Sequence, residues 1–219
     1  MSSGYLVLMI FCCIGAYLIG SCNSAIIVTK LMKKEDIRNF GSKNAGLTNV
    51  LRCFGKGPAA VTLLCDLFKG IVTILIVRAC VKCFGYSADI MSSGYIAGFM
   101  VMLGHIFPLY YGFKGGKGVL VAASVLIAID IRTFMVVLPI FIIVLLVSGY
   151  VSLSSITAAA FYPVVTFILQ YFVRHIETKY IIIHLVVVTM TSVLIIYMHR
   201  SNIKRLIDKT ENKLSFSKK

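Results

Sequence analysis

The segment GFKGGKGV, residues 112–119, holds four glycines and two lysines in a chain that is otherwise 59% hydrophobic. Glycines at this density let backbone N–H groups approach an anion, and Lys117 sets a point charge beside them. A helix predicted from about Val119 turns its positive dipole end toward the loop, which makes Gly115, Gly116 and Gly118, with the amides of 115–118, a candidate phosphate cradle. The segment is not a nucleotide-binding Walker loop. Tyr111 stands five positions before Gly116 where a glycine is required, and Gly118 follows Lys117 where a magnesium-binding hydroxyl is required.

Two further polar clusters carry residues of the same kind. GSKNAGLTNVLR, residues 41–52, offers Ser42, Asn44, Gly46, Asn49 and Arg52 as groups for an anion's oxygens, with Thr48 or Asn49 as the expected cap of a short helix. In HRSNIKRLIDKTENK, residues 199–213, His199 and Asn202 are three apart and share a helix face, while Ile203, Leu206 and Ile207 form an apolar stripe suited to the membrane surface. YVSLSSI, residues 150–156, places hydroxyls, Ser152 among them, at a helix start where they can meet a phosphate. Inside an apolar run, Asp66 and Lys69 lie roughly 12–17 Å into their helix and three residues apart, so each can neutralise the other.

The elements that position these clusters are membrane helices. Only 14% of residues are charged, against roughly 25% in soluble domains. Five stretches match the roughly 20 apolar residues of a crossing: Tyr5–Val28, Pro58–Val81, Ser92–Tyr111, Tyr150–Val173 and Tyr180–Met198. The apolar run between Lys117 and Gly149 is broken at Asp130-Ile131-Arg132 and reads as two helices, the first short. The expectation is an all-α polytopic protein of about seven crossings, a single integral membrane domain over 1–219, with cytoplasmic segments near 38–57, 112–118 and 199–213. No secretory cleavage pattern precedes the first apolar run, which is expected to remain as a helix.

Charge sets the orientation. With the N-terminus outside, the loops on the side of the glycine-rich segment and the C-terminal tail hold sixteen Lys and Arg residues, against five on the other side. All three clusters then fall on the cytoplasmic face, with the C-terminus. The net charge of +14 reflects this bias and points to lipid headgroups and anionic substrates, not to nucleic acid. Seven cysteines are scattered through apolar segments and read as small hydrophobes, and Cys80-x-x-Cys83 lacks the second pair of a metal site. A small-anion transporter could use the same charges, but the two halves show no inverted repeat and the polar groups collect at one face, away from the midplane.

In order and spacing, these motifs resemble those of the bacterial acyl-phosphate:glycerol-3-phosphate acyltransferases, the PlsY family. Ser42-x-Asn44-x-Gly46-x-x-Asn49-x-x-Arg52 looks like the family's first motif, GHIFPLYYGFKGGKGV at 104–119 like its second, and HRSNIKRL with Glu211-Asn212-Lys213 like its third. CDLFKG and YVSLSSI are similar to other family segments. The resemblance implies a seven-helix enzyme of the bacterial plasma membrane that moves a fatty acyl group from acyl phosphate to the 1-hydroxyl of sn-glycerol 3-phosphate. The products are lysophosphatidic acid and inorganic phosphate, in the first acylation of phospholipid biosynthesis. It further implies Ser42, Arg52, Lys117, His199 and Asn202 as catalytic groups, a structural part for Glu211, no metal or cofactor, and functional coupling to an acyl-phosphate synthase and a second-step acyltransferase. Asp66, Lys69 and His105 are expected to support the site.

The sequence departs from the family at Cys22 and Asn23, where Ile-Pro is common, at Leu47, where Ala is usual, at Leu120-Val121 for Ala-Thr, and at Lys209, where Gly is common. These substitutions keep open a divergent or inactive paralogue. The chemistry still suits the residues. The positions five after the histidines are Tyr110, Tyr180, Thr189 and Lys204, so the His-x-x-x-x-Asp device of other glycerolipid acyltransferases is absent. There is also no G-x-S-x-G elbow for an acyl-serine. An acyl phosphate is already activated and needs alignment and charge stabilisation more than a nucleophile.

Overall fold

The computed structural model describes residues 3–86 and 90–214, and all regular structure among them is helical. Lys218 and Lys219, counted in the charge bias, lie outside the described residues. The stretch expected as one domain divides into two compact units, Met1–Ile129 and Asp130–Lys219.

In the first unit, α1 (Ser3–Ser21) and α2 (Ser24–Lys33) replace the single helix expected over Tyr5–Val28. Asn23 is the reason for the correction. Its backbone is extended, at φ −71° and ψ 109°, and its side-chain oxygen accepts from the Ile26 amide at 3.1 Å, starting a second helix instead of continuing the first. Lys34 ends α2 in the left-handed region, and Asp36 then accepts from the Arg38 amide to begin the 3₁₀ turn Ile37–Asn39. Helix α3 (Leu47–Phe54) has Gly46 at its N-cap with no side-chain cap, so neither Thr48 nor Asn49 plays the expected capping part.

Helix α4 (Lys56–Cys83) runs 28 residues, about 42 Å at 1.5 Å per residue. It packs on α5 (Ile90–Ile106) and on α6 (Val119–Ile129), and α1 packs along α5. Glycines let α1 and α5 approach closely: a methyl on Gly20 would collide with the Val101 carbonyl, and one on Gly104 with that of Tyr17. Ala25, Ile26, Ile37, Ala45, Val50 and Ala59 form a small apolar core that seats the 37–54 segment on α2 and α4.

The second unit holds α7 (Ile131–Ser148), α8 (Val151–Ile168), which runs on into a π-helical turn at Leu169–Val173, α9 (Thr178–Met198) and α10 (Arg200–Ile207). Asp130 makes the expected break. It caps α7 through the Thr133 amide and pairs with Arg174 at 3.1 Å. Helix α8 packs between α7 and α9, and α10 lies on α8 and α9. Among the described residues, six helical segments are long and apolar enough to cross a membrane: Ser3–Lys33, Lys56–Cys83, Ile90–Tyr111, Ile131–Ser148, Val151–Val173 and Thr178–Met198. Helix α6, at 11 residues, is about 16 Å long, roughly half of a hydrocarbon core.

Candidate active site

The first loop is built around one amide side chain. Gly41 and Lys43 take positive φ values of 53° and 58°, which reverses the chain ahead of α3. Asn49, one turn into α3, reaches back beneath the reversal. Its oxygen accepts from the Ser42 amide at 3.0 Å, and its nitrogen donates to the carbonyls of Phe40 at 3.0 Å and Asn44 at 3.1 Å. Asn49, expected among the substrate-binding groups, is buried with its polar atoms engaged by backbone and braces the reversal. The brace holds Ser42 exposed at the turn, Asn44 half-buried beside it, and Arg52 exposed in the last turn of α3.

The glycine-rich loop folds back onto the end of α5. The Gly115 amide donates to the Ile106 carbonyl and the Gly116 amide to that of His105, both at 3.1 Å, satisfying carbonyls that a helix end leaves open. Two of the four amides expected to face an anion are therefore already engaged. A side chain on Gly115 would collide with the His105 carbonyl, and one on Gly116 with the His105 imidazole, so close packing accounts for both glycines. Gly118, at φ +83°, turns the chain into α6, leaving Lys117 half-buried just before the helix start.

The two loops are joined. Ala45 donates its amide to the Gly115 carbonyl at 3.3 Å. Arg38 donates to the Tyr111 carbonyl at 2.7 Å and is itself gripped by Asp36, with Arg38 and Lys30 both about 5.9 Å from the Tyr111 ring centroid. The side-chain hydrogen bond from Arg38 holds the Asp36 carboxyl down at about 2.

Beneath the loops the Asp66–Lys69 pair becomes a triad. The Lys69 ammonium lies 2.8 Å from Asp66 Oδ1 and 3.0 Å from His105 Nδ1, with Asp66 and His105 both buried. An ammonium only donates, so Nδ1 accepts and the neutral ring carries its hydrogen on Nε2, the atom nearest Gly116.

In the second unit, Glu211 gathers the third motif. Its Oε1 accepts from Ser152 at 2.9 Å and from Asn202 at 2.7 Å, and its Oε2 pairs with Arg205 at 2.6 Å. Burial pushes this carboxyl up, but the hydrogen bonds from Asn202, Arg205 and Ser152 outweigh it and hold it below the ordinary glutamate range. Ser152, expected to meet substrate, donates its hydroxyl to Glu211 and so braces the tail. Lys209 takes a left-handed φ of 58°, ending α10 and turning Glu211 back toward Asn202. His199 sits buried at the α9–α10 junction, and its Nδ1 lies 2.8 Å from the Ile195 carbonyl. That carbonyl can only accept, so the neutral ring carries its basic lone pair on Nε2. All seven cysteines, Cys80 and Cys83 included, are free thiols.

Sequence reasoning left out Asn23, the Asp36–Arg38 grip on Tyr111, and Arg205. An Asn-Ser pair within an apolar run is a cap signal that could have exposed the first.

The family described as glycerol-3-phosphate acyltransferase matches residues 10–209. A glycerol-3-phosphate acyltransferase of Chlorobaculum tepidum is 39% identical over 93% of this chain and 95% of its own, and that of Clostridioides difficile is 36% identical over 93% and 94%. Among solved structures, PlsY (YgiH), an integral membrane glycerol 3-phosphate acyltransferase in its glycerol 3-phosphate form, superposes with a TM-score of 0.80 at 34% identity, covering 94% of this chain and 96% of that one. Its lysophosphatidic acid form gives 0.76 at 33%, covering 94% and 95%.

Proposed function

Because the chain belongs to the glycerol-3-phosphate acyltransferase family and is an integral membrane enzyme of the PlsY type, we propose that it acylates the 1-hydroxyl of sn-glycerol 3-phosphate with fatty acyl phosphate as donor. The hydroxyl oxygen attacks the acyl carbonyl carbon, the ester C–O bond forms, and the C–O bond to phosphate breaks. Lysophosphatidic acid remains in the bilayer and inorganic phosphate leaves with the electron pair. The observation that carries this reading is the joining of the Ser42–Arg52 loop to the glycine-rich loop through Ala45 and Gly115, which presents two cation-bearing segments as one structure.

In this reading Ser42, Arg52 and Lys117 hold the phosphate groups and stabilise charge on the carbonyl oxygen and the departing phosphate, with Asn44, Gly46 and Gly118 shaping the approach. His199, with its lone pair on Nε2, takes the hydroxyl proton, and Asn202 orients it. Helix α6 completes a seventh crossing, the N-terminus lies outside, and the site opens to the cytoplasm at a bacterial plasma membrane, as the Lys and Arg bias supports. The acyl chain enters from the lipid, and the enzyme works between an acyl-phosphate synthase and a second-step acyltransferase.

Donor choice tests the proposal. Purified enzyme given glycerol 3-phosphate is expected to turn over with palmitoyl phosphate and not with palmitoyl-CoA. Turnover with the thioester alone would overturn the acyl-phosphate assignment.

A further inference from the structure

We propose that Asn23 is a positioning residue of the active site, the clasp that sets the first loop against the glycine-rich loop and so fixes the affinity for glycerol 3-phosphate. The inference rests on the function proposed above. It starts from a polar side chain that is 0% exposed, at the break between the two helices of the apolar Ser3–Lys33 segment.

The cap uses only half of that side chain. The oxygen accepts from the Ile26 amide, which is enough to start α2. The amide nitrogen points the other way, toward the carbonyls of Ala45 at 3.3 Å and His105 at 3.5 Å. Each of these carbonyls belongs to a residue that also binds the glycine-rich loop. Ala45 gives its amide to the Gly115 carbonyl, and the His105 carbonyl receives the Gly116 amide. One carboxamide thus bridges the two residues on which the loop hangs, through two backbone contacts that no serine, threonine or alanine at position 23 reproduces.

Neighbouring contacts hold the clasp in place. Lys69 reaches the Gly20 carbonyl at 3.5 Å and that of Cys22 at 3.3 Å, on the chain just before Asn23, while binding His105 Nδ1. The break between α1 and α2 is therefore anchored to the same histidine whose carbonyl and ring shape Gly115 and Gly116. Removing the amide donor takes one contact from each carbonyl, with that of His105 keeping the Gly116 amide, and lets the loops move relative to one another, and a displacement of about 1 Å in a positioning element can cost up to about 100-fold in rate.

The test separates the clasp from the cap. Asn23→Ser and Asn23→Thr keep a capping oxygen and lose the amide donor. Each is purified beside wild type for thermal unfolding and for steady-state kinetics with palmitoyl phosphate and glycerol 3-phosphate varied in turn. We expect folded variants whose KM for glycerol 3-phosphate rises about tenfold or more while KM for the acyl donor stays within about twofold. Unchanged KM for glycerol 3-phosphate, or an equal rise for both substrates, overturns the inference, and so does failure of both variants to fold, which makes Asn23 a stability residue only. A wild-type protein without turnover would instead sink the underlying functional reading, so the two failures are told apart.

Discussion

His199 and Glu211 are close in sequence but take different parts. The bond from His199 Nδ1 to the Ile195 carbonyl fixes the ring and leaves the lone pair on Nε2, which suits a proton acceptor. His199→Gln keeps a polar side chain of similar reach without the basicity, and kcat is expected to fall about 100-fold with little change in KM, measured by product formation at saturating substrates. Near-normal turnover would assign the proton to the substrate's own phosphate. Glu211 has a depressed folded pKa, so its contribution to stability is present above the ordinary value of 4.5 and is lost as pH falls through the folded value. Thermal midpoints taken from pH 7 down to about 3 are expected to drop more steeply below 4.5 in wild type than in Glu211→Gln, which cannot titrate. Parallel curves would remove Glu211 as the source of acid lability.

At the scale of elements, the end of α5 and the break between α1 and α2 act together as the seat of the proposed site. Gly116→Ala drives a methyl into the His105 ring, whose position Lys69 fixes, so relief must come from the loop. A rise in KM for glycerol 3-phosphate of about tenfold is expected, with the protein still folded. Unaltered kinetics would show that the loop tolerates displacement. This seat was only partly legible in the sequence. The motif spacings in 41–52, 112–118 and 199–213, the start of α6 at Val119 and the break at Asp130 depend on local glycine, cap and periodicity signals, and all could be read. The connection of His105 to Lys69, 36 residues away, and of Asn23 to His105, 82 residues away, depends on tertiary packing that no local pattern encodes. Asn49 in its polar loop and Ser152 at its helix start read as candidate ligands from residue type and place alone, which do not say which way a side chain turns. In the fold, one braces the Gly41–Asn44 reversal and the other holds Glu211.

For the whole molecule, the proposed topology, in which α6 adds a seventh crossing to the six long apolar segments among the described residues, puts the motif loops on the cytoplasmic side, a reading the Lys and Arg bias supports. Cys53, in α3, and Cys83, at the far end of α4, are both exposed and serve as natural markers. In variants that keep one of these thiols, an impermeant maleimide added to intact cells is expected to label Cys83 and to reach Cys53 only after lysis. The reverse pattern would invert the topology. The most direct test of the proposed chemistry is the stoichiometry of the reaction itself. Purified protein given palmitoyl phosphate and glycerol 3-phosphate should release one inorganic phosphate for each lysophosphatidic acid formed, and Lys117→Ala should lose about 100-fold or more of that turnover. Phosphate release without lysophosphatidic acid, or full activity in Lys117→Ala, would contradict acyl transfer at the glycine-rich loop.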